Sequence, residues 1–226
     1  MKKTLIALCC SLCLIAFSVK AETIRVACVG NSITYGHGIK NRNTDSYPAV
    51  LGQLLGTGWD VKNFGVSGRT LLSKGDNPYI KEKAYQDALT FNPNVVIIKL
   101  GTNDSKPQNW KFEQEFETDL KALILSFERL PAKPIVYLCF PAKAYGTRYN
   151  INDSIIANGV IPHIKKVASK TRSTVIDLYR ETENMEANFP DMIHPNEAGA
   201  RIMANKVATV LKKNKKLKKL HGKSNL

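Results

Sequence analysis

The chain has 226 residues, 43% hydrophobic and 23% charged, which is enough apolar material for one globular domain and excludes disorder as its main state. A formal net charge of +14 raises a nucleic-acid or anionic-membrane partner, but the excess is concentrated at the two ends. Residues 22–211 carry 23 basic against 19 acidic side chains, so no nucleic-acid groove is expected in the folded domain.

Lys2 and Lys3 precede an apolar run over 5–19, and Val19-Lys20-Ala21 puts small residues at the positions that decide cleavage. Residues 1–21 therefore read as a secretory signal peptide, and the remainder as an exported protein, periplasmic or secreted. No later apolar run approaches the roughly 18 residues of a transmembrane segment. Three of the five cysteines lie in this leader. The other two, Cys28 and Cys139, sit in apolar runs and read as buried free thiols rather than a disulfide framework. The four histidines form no HExxH, and there is no paired CxxC, so neither a metal nor another cofactor is expected.

In chain order, β-branched apolar runs predict strands over 24–29, 61–66, 95–100, 135–140 and 174–178. Between and after them, apolar residues at three- and four-residue spacing predict helices over 46–55, 80–91, 112–127, 153–169 and 197–211. Strands alternating with helices pair in parallel, and the run Val95-Val96-Ile97-Ile98 is apolar enough to be covered on both faces. The expected architecture is α/β, a three-layer α/β/α sandwich around a five-stranded parallel sheet of flavodoxin-like order, with ligands at the carboxyl edge of the sheet. Residues 22–211 form the expected domain. Residues 212–226 form a Lys-rich tail, read as a solvated, fraying helix end or a weak contact for an anionic surface.

Three connections at that edge carry chemistry. The first strand runs into Gly30-Asn31-Ser32-Ile33-Thr34, which sets Ser32 on a tight turn with its hydroxyl and its own N–H at the edge. The second is followed by Ser67-Gly68-Arg69, where Gly68 offers an unhindered N–H. The third is followed by Gly101-Thr102-Asn103-Asp104, where Asn103 offers a side-chain amide. Taken singly these are a helix cap and two turn residues; together they place a nucleophile and two neutral donors on one edge. A serine needs a base, and the base needs an orienting group. Asp191 and His194, three residues apart before the last helix, can supply both, although alone they would read as helix caps. His37 is nearer Ser32 in sequence but has no carboxylate at a fixed spacing.

These four blocks, from Gly30-Asn31-Ser32 through Asn63 to Gly68, Gly101 to Asp104 and Asp191 to His194, resemble the signature blocks of SGNH hydrolases, the GDSL-type esterases and lipases. The resemblance implies metal-independent ester hydrolysis by a Ser32–His194–Asp191 triad, with Ser32, Gly68 and Asn103 as the oxyanion hole. Asn31 stands where the family usually has Asp. The GNSIT form and the loop after Asn103 are similar to carbohydrate O-acetylesterases, including sialate O-acetylesterases and acetylxylan esterases. Trp110, Tyr145 and Tyr149 are candidates to stack on a sugar ring, and Arg69, Lys106, Lys143 and Arg148 to face an acidic one, with Asn31 beside the nucleophile. The expected substrate is a small acetylated carbohydrate, sialic acid ahead of xylan fragments. A lysophospholipase or thioesterase on the same triad is the alternative, and an inactive carbohydrate-binding module is the reading from another class.

Overall fold

The computed structural model describes residues 23–222; the expected leader, residues 1–21, lies outside the described residues. Five strands, β1 (Ile24–Gly30), β2 (Trp59–Gly65), β3 (Val95–Lys99), β4 (Ile135–Cys139) and β5 (Thr174–Ile176), form one sheet in the order β2-β1-β3-β4-β5. Every pairing is parallel. The chain leaves β1 toward one side to make β2 and returns on the other side to make β3, so a crevice opens at the carboxyl ends of β1 and β3, the point where strand order reverses.

Side chains alternate across a strand, and that alternation divides the core in two. Ala27, Val29, Val96, Ile98, Val136 and Leu138 face one cluster with Phe116, Leu120, Phe127 and Ile164. Val26, Cys28, Val95, Ile97, Tyr137 and Cys139 face the other with Leu51, Met203 and Val207. Helices Phe116–Glu128 and Ile161–Thr171 thus cover one face, and Tyr47–Leu55 and Glu197–Lys213 the other. Cys28 and Cys139 are free and buried. Among the described residues no helix is long and apolar enough to cross a membrane.

Departures from the sequence-based expectations have local causes. Strand β5 stops at Ile176 because Asp177 turns its carboxylate to the Arg180 N–H (2.9 Å) and caps a short helix. The expected helix over 153–169 is interrupted by a π-helical stretch, Ile156–Val160. Pro162 follows it and supplies no N–H to the ladder. Gly159 lies against Trp110, whose ring would be 2.4 Å from an added Cβ. The tail is also more than a fraying end. Asn214 closes Glu197–Lys213, and its Oδ1 accepts from the Lys216 and Leu217 N–H groups. It thereby starts a further helix, Lys215–Gly222, whose Leu217 is 1% exposed within the second core cluster.

Candidate active site

Strand β1 ends in a glycine for a steric reason: a Cβ on Gly30 would lie 2.1 Å from Thr34 Oγ1 and 2.7 Å from the Lys99 carbonyl oxygen. Asn31 then caps the short helix Ser32–Tyr35, its Oδ1 accepting from the Ile33 N–H at 3.2 Å. Ser32 is the first helical residue, so its N–H has no acceptor within the helix. Its Oγ lies 2.8 Å from Nε2 of His194, and Nδ1 of His194 lies 2.7 Å from Oδ2 of Asp191.

Asp191 is fixed from its other oxygen. Oδ1 accepts from the N–H groups of Ile193 (3.0 Å) and His194 (2.7 Å), which explains the three-residue spacing: one carboxylate caps the turn and orients the ring that the turn presents. The turn needs a left-handed residue at Met192 (φ 68°), held by the Tyr145 N–H donating to the Met192 carbonyl at 2.8 Å. Asn196 caps the following helix through the Gly199 N–H (3.0 Å).

Ser32 and His194 are 8% and 6% exposed. Burial holds the His194 imidazole below its ordinary pKa of 6.5, with the charges of His37 and Lys99 adding to the effect and Asp191 opposing it. Burial would raise Asp191, but hydrogen bonds from the His194 ring and from the His194 and Ile193 amides outweigh it and hold the carboxyl below 3.8. A neutral imidazole facing a hydroxyl, backed by an ionised carboxylate, is the arrangement that makes a serine nucleophilic.

The loops that carry the two neutral donors are bonded together through Asn103 and Asp104. Gly68 takes φ 82°, with no atom within 4 Å of the position a Cβ would occupy. Asn103 donates one side-chain hydrogen to the Arg69 carbonyl at 3.1 Å, and the amide carries a second. Beside it, buried Asp104 accepts from the N–H groups of Leu71 (3.1 Å) and Leu72 (2.8 Å). Ser32, Gly68, Asn103 and His194 line one cleft of about 240 Å³ together with His37, Ser67, Lys106, Tyr149 and Ile151. A second depression, of about 330 Å³, is lined by Tyr35, Arg42, Asn63 and Gly65 and contains none of these groups.

The structure brings some expected substrate residues to this cleft and not others. Lys106 and Tyr149 line it, the Tyr149 ring standing edge-on to His194 at 5.7 Å. Arg148 does not line it; its guanidinium lies 5.1 Å from the centre of the Tyr149 ring. Trp110 does not reach the cleft, because its ring packs on Phe116 and His163. Tyr145 is held elsewhere too: its hydroxyl bonds the Thr182 carbonyl and its ring packs on Phe189. Asn31 is fully buried beneath the turn, Arg69 is paired with Glu82 at 2.8 Å, and Lys143 with Asp153 at 2.8 Å. Sequence reasoning does not single out Ile151 and Lys99; His37, which it sets aside as the base for want of a carboxylate at fixed spacing, lines the cleft with its ring 4.4 Å from that of His194. For Lys99 a signal existed, a lysine closing an otherwise apolar central strand.

The chain belongs to the GDSL-like lipase/acylhydrolase family, which matches residues 28–202. Over 211 residues it is 45% identical to a protein named acetylxylan esterase from Xylanibacter ruminicola, a match covering 85% of this chain and 44% of that protein. The chain thus spans less than half the length of this curated relative. Among solved structures it resembles the native aryl esterase of M. smegmatis (18% identity, TM-score 0.66, covering 84% of this chain and 99% of that one). It also resembles a carbohydrate acetylesterase from Sinorhizobium meliloti (16% identity, TM-score 0.68, covering 84% of this chain and 99% of that one). At these identities the structural likeness is one of fold.

Proposed function

We propose that the protein is a serine esterase that removes O-acetyl groups from carbohydrate. The observation that carries this reading is the hydrogen-bonded series Ser32–His194–Asp191, at 2.8 and 2.7 Å, opening on a cleft that Gly68 and Asn103 also line. Ser32 Oγ attacks the acetyl carbonyl as His194 Nε2 takes its proton. The N–H groups of Ser32 and Gly68 and the Asn103 amide stabilise the tetrahedral oxyanion. His194 then returns the proton to the departing sugar oxygen, leaving an acetyl-enzyme. Water, deprotonated by His194, attacks that ester; acetate leaves and Ser32 recovers its proton. Asp191 keeps the imidazole in the tautomer with hydrogen on Nδ1 and stabilises it while charged.

The cleft volume and lining favour a short acyl group. Apart from Ile151 and the Tyr149 ring it is lined by polar or small residues, which suits acetate better than the long chain of a lysophospholipid. The 45% identical relative carries the name acetylxylan esterase, which supports acetylated xylan ahead of acetylated sialic acid and reverses the order expected from the motifs alone. Export, with residues 1–21 as a cleaved leader, is part of the same proposal and would bring the protein to a polymeric, extracellular substrate. Acetate release from acetylated xylo-oligosaccharide and acetylated sialic acid, beside a p-nitrophenyl ester series of increasing chain length, tests the reading. A preference for acetyl esters and for xylo-oligosaccharide is expected. Rates that rise toward C8 would point to a lipase, and hydrolysis of neither sugar would refute the substrate assignment.

A further inference from the structure

The rings of His37 and His194 lie 4.4 Å apart, centre to centre, tilted by 50°. With Asp191 they are the one group of three metal-ligating side chains found among the described residues, their ligand atoms all within 4.8 Å of one another. His37 is exposed, and its backbone is fixed: its N–H donates to the Ser32 carbonyl at 2.9 Å, between Gly36 (φ 90°) and Gly38 (φ 81°). The hydrolytic steps give His37 no task.

We propose that His37 and Nε2 of His194 form a binding site for a zinc-class divalent ion, and that an ion held there blocks hydrolysis by occupying the nitrogen that would accept the Ser32 proton. Histidine ligands of metals characteristically donate their other ring N–H to a carboxylate, which fixes the ring and raises its basicity; Asp191 Oδ2, 2.7 Å from Nδ1, already does this. Both oxygens of Asp191 are engaged within the turn, so the carboxylate supports the ligand rather than being one. An ion on Nε2 takes the place of the hydrogen bond from Ser32 Oγ, 2.8 Å away, so the serine hydroxyl turns aside and water in the cleft completes the tetrahedral set that zinc prefers, with nitrogen ligands near 2.0–2.1 Å. The exposed His37 ring has the freedom to close the remaining distance. Two imidazoles select zinc, copper or nickel over magnesium and calcium, which take oxygen ligands. The ion is an inhibitor here and takes no part in the reaction. Binding stands on the geometry alone, whereas the blocking effect rests on the esterase reading.

The test uses the whole chain in a buffer that does not chelate metals, with zinc chloride followed by calorimetry and by inhibition of p-nitrophenyl acetate hydrolysis. The wild type is expected to bind zinc and lose activity, with recovery on adding EDTA. His37→Ala and His37→Gln, each compared with its own uninhibited rate, are expected to weaken binding and inhibition together by at least about 10-fold, since a direct ligand counts for no less than the supporting groups whose loss costs about 10–100-fold. Magnesium and calcium are expected to do neither. No binding by the wild type, or binding and inhibition unchanged in both His37 variants, would overturn the proposal while leaving the esterase reading intact. A chain that hydrolyses no ester yet binds zinc through His37 would sink the esterase reading and uphold the site.

Discussion

Lys99 Nζ lies 3.5 Å from Asn31 Oδ1, and both residues are fully buried. Asn31 immediately precedes Ser32, so a buried amine at the end of the central strand lies beneath the turn that carries Ser32. Asn31 Oδ1 is shared with the Ile33 N–H, whereas its Nδ2 has no partner. The family pattern would place an Asp opposite this amine; the amide here leaves Lys99 without a counter-charge, and burial lowers its pKa to about 7, against a small opposing effect of Cys139.

Asn31→Asp is therefore expected to be tolerated, because the new carboxylate gains Lys99 as a partner. In a Lys99→Met background the same change buries an unpaired carboxylate. Chemical unfolding of the four proteins should give a coupling of about 1–3 kcal/mol between the two positions. Additive effects would show that the side chains do not interact.

Lys99→Met alone is expected to stabilise the protein near neutral pH. Because the folded state binds the Lys99 proton less tightly than the unfolded chain, the cost of burying the ammonium is complete below about 7 and falls away as pH rises toward 10.5. Wild-type stability should carry a component that rises across that window and that the variant lacks; thermal melts from pH 6 to 10 read it directly.

With His194 as the proposed base, the acid limb of kcat/KM is expected to report its imidazole in the free enzyme. Since burial lowers its pKa, activity is retained below pH 6.5 and lost only as pH falls through the lowered value. Lys99→Met should move the limb upward, as a charge that disfavours the imidazolium is removed. A wild-type limb above pH 6.5 would contradict this account of the site.

Asn103→Ala is expected to reduce kcat by about 100- to 1,000-fold with KM little changed, because the oxyanion exists only along the reaction path. Asp104→Asn acts on the scaffold instead. It replaces one of two acceptor oxygens, leaving the Leu71 or Leu72 N–H buried without a partner, a loss of about 1–3 kcal/mol in urea unfolding.

How much of this was legible beforehand follows from the physics of each feature. The strands showed because their runs are apolar on both faces, as at Val95 to Ile98, and β2 showed least clearly because it is an edge strand with Lys62 and Asn63 exposed. Ser32, Asp191 and His194 were readable because each sits on a turn whose local chemistry is written in adjacent residues. Trp110 and Tyr145 misled, since an aromatic in a loop carries no mark of the face it will pack on; Gly159, which receives Trp110, lies 49 residues away. The pairing of Asn31 with Lys99 spans 68 residues and exists only once β1 and β3 are neighbours. In the tail, the Lys excess masked Leu217, the one residue there, among those described, that docks in the core.

The most direct test of the central claim is intact-mass spectrometry, with peptide mapping, after treatment with a fluorophosphonate, which labels an activated serine covalently. One adduct per chain is expected, on Ser32, and none in His194→Ala over the same time. An unlabelled wild type, or an adduct on another residue, would contradict the assignment of Ser32 as the nucleophile.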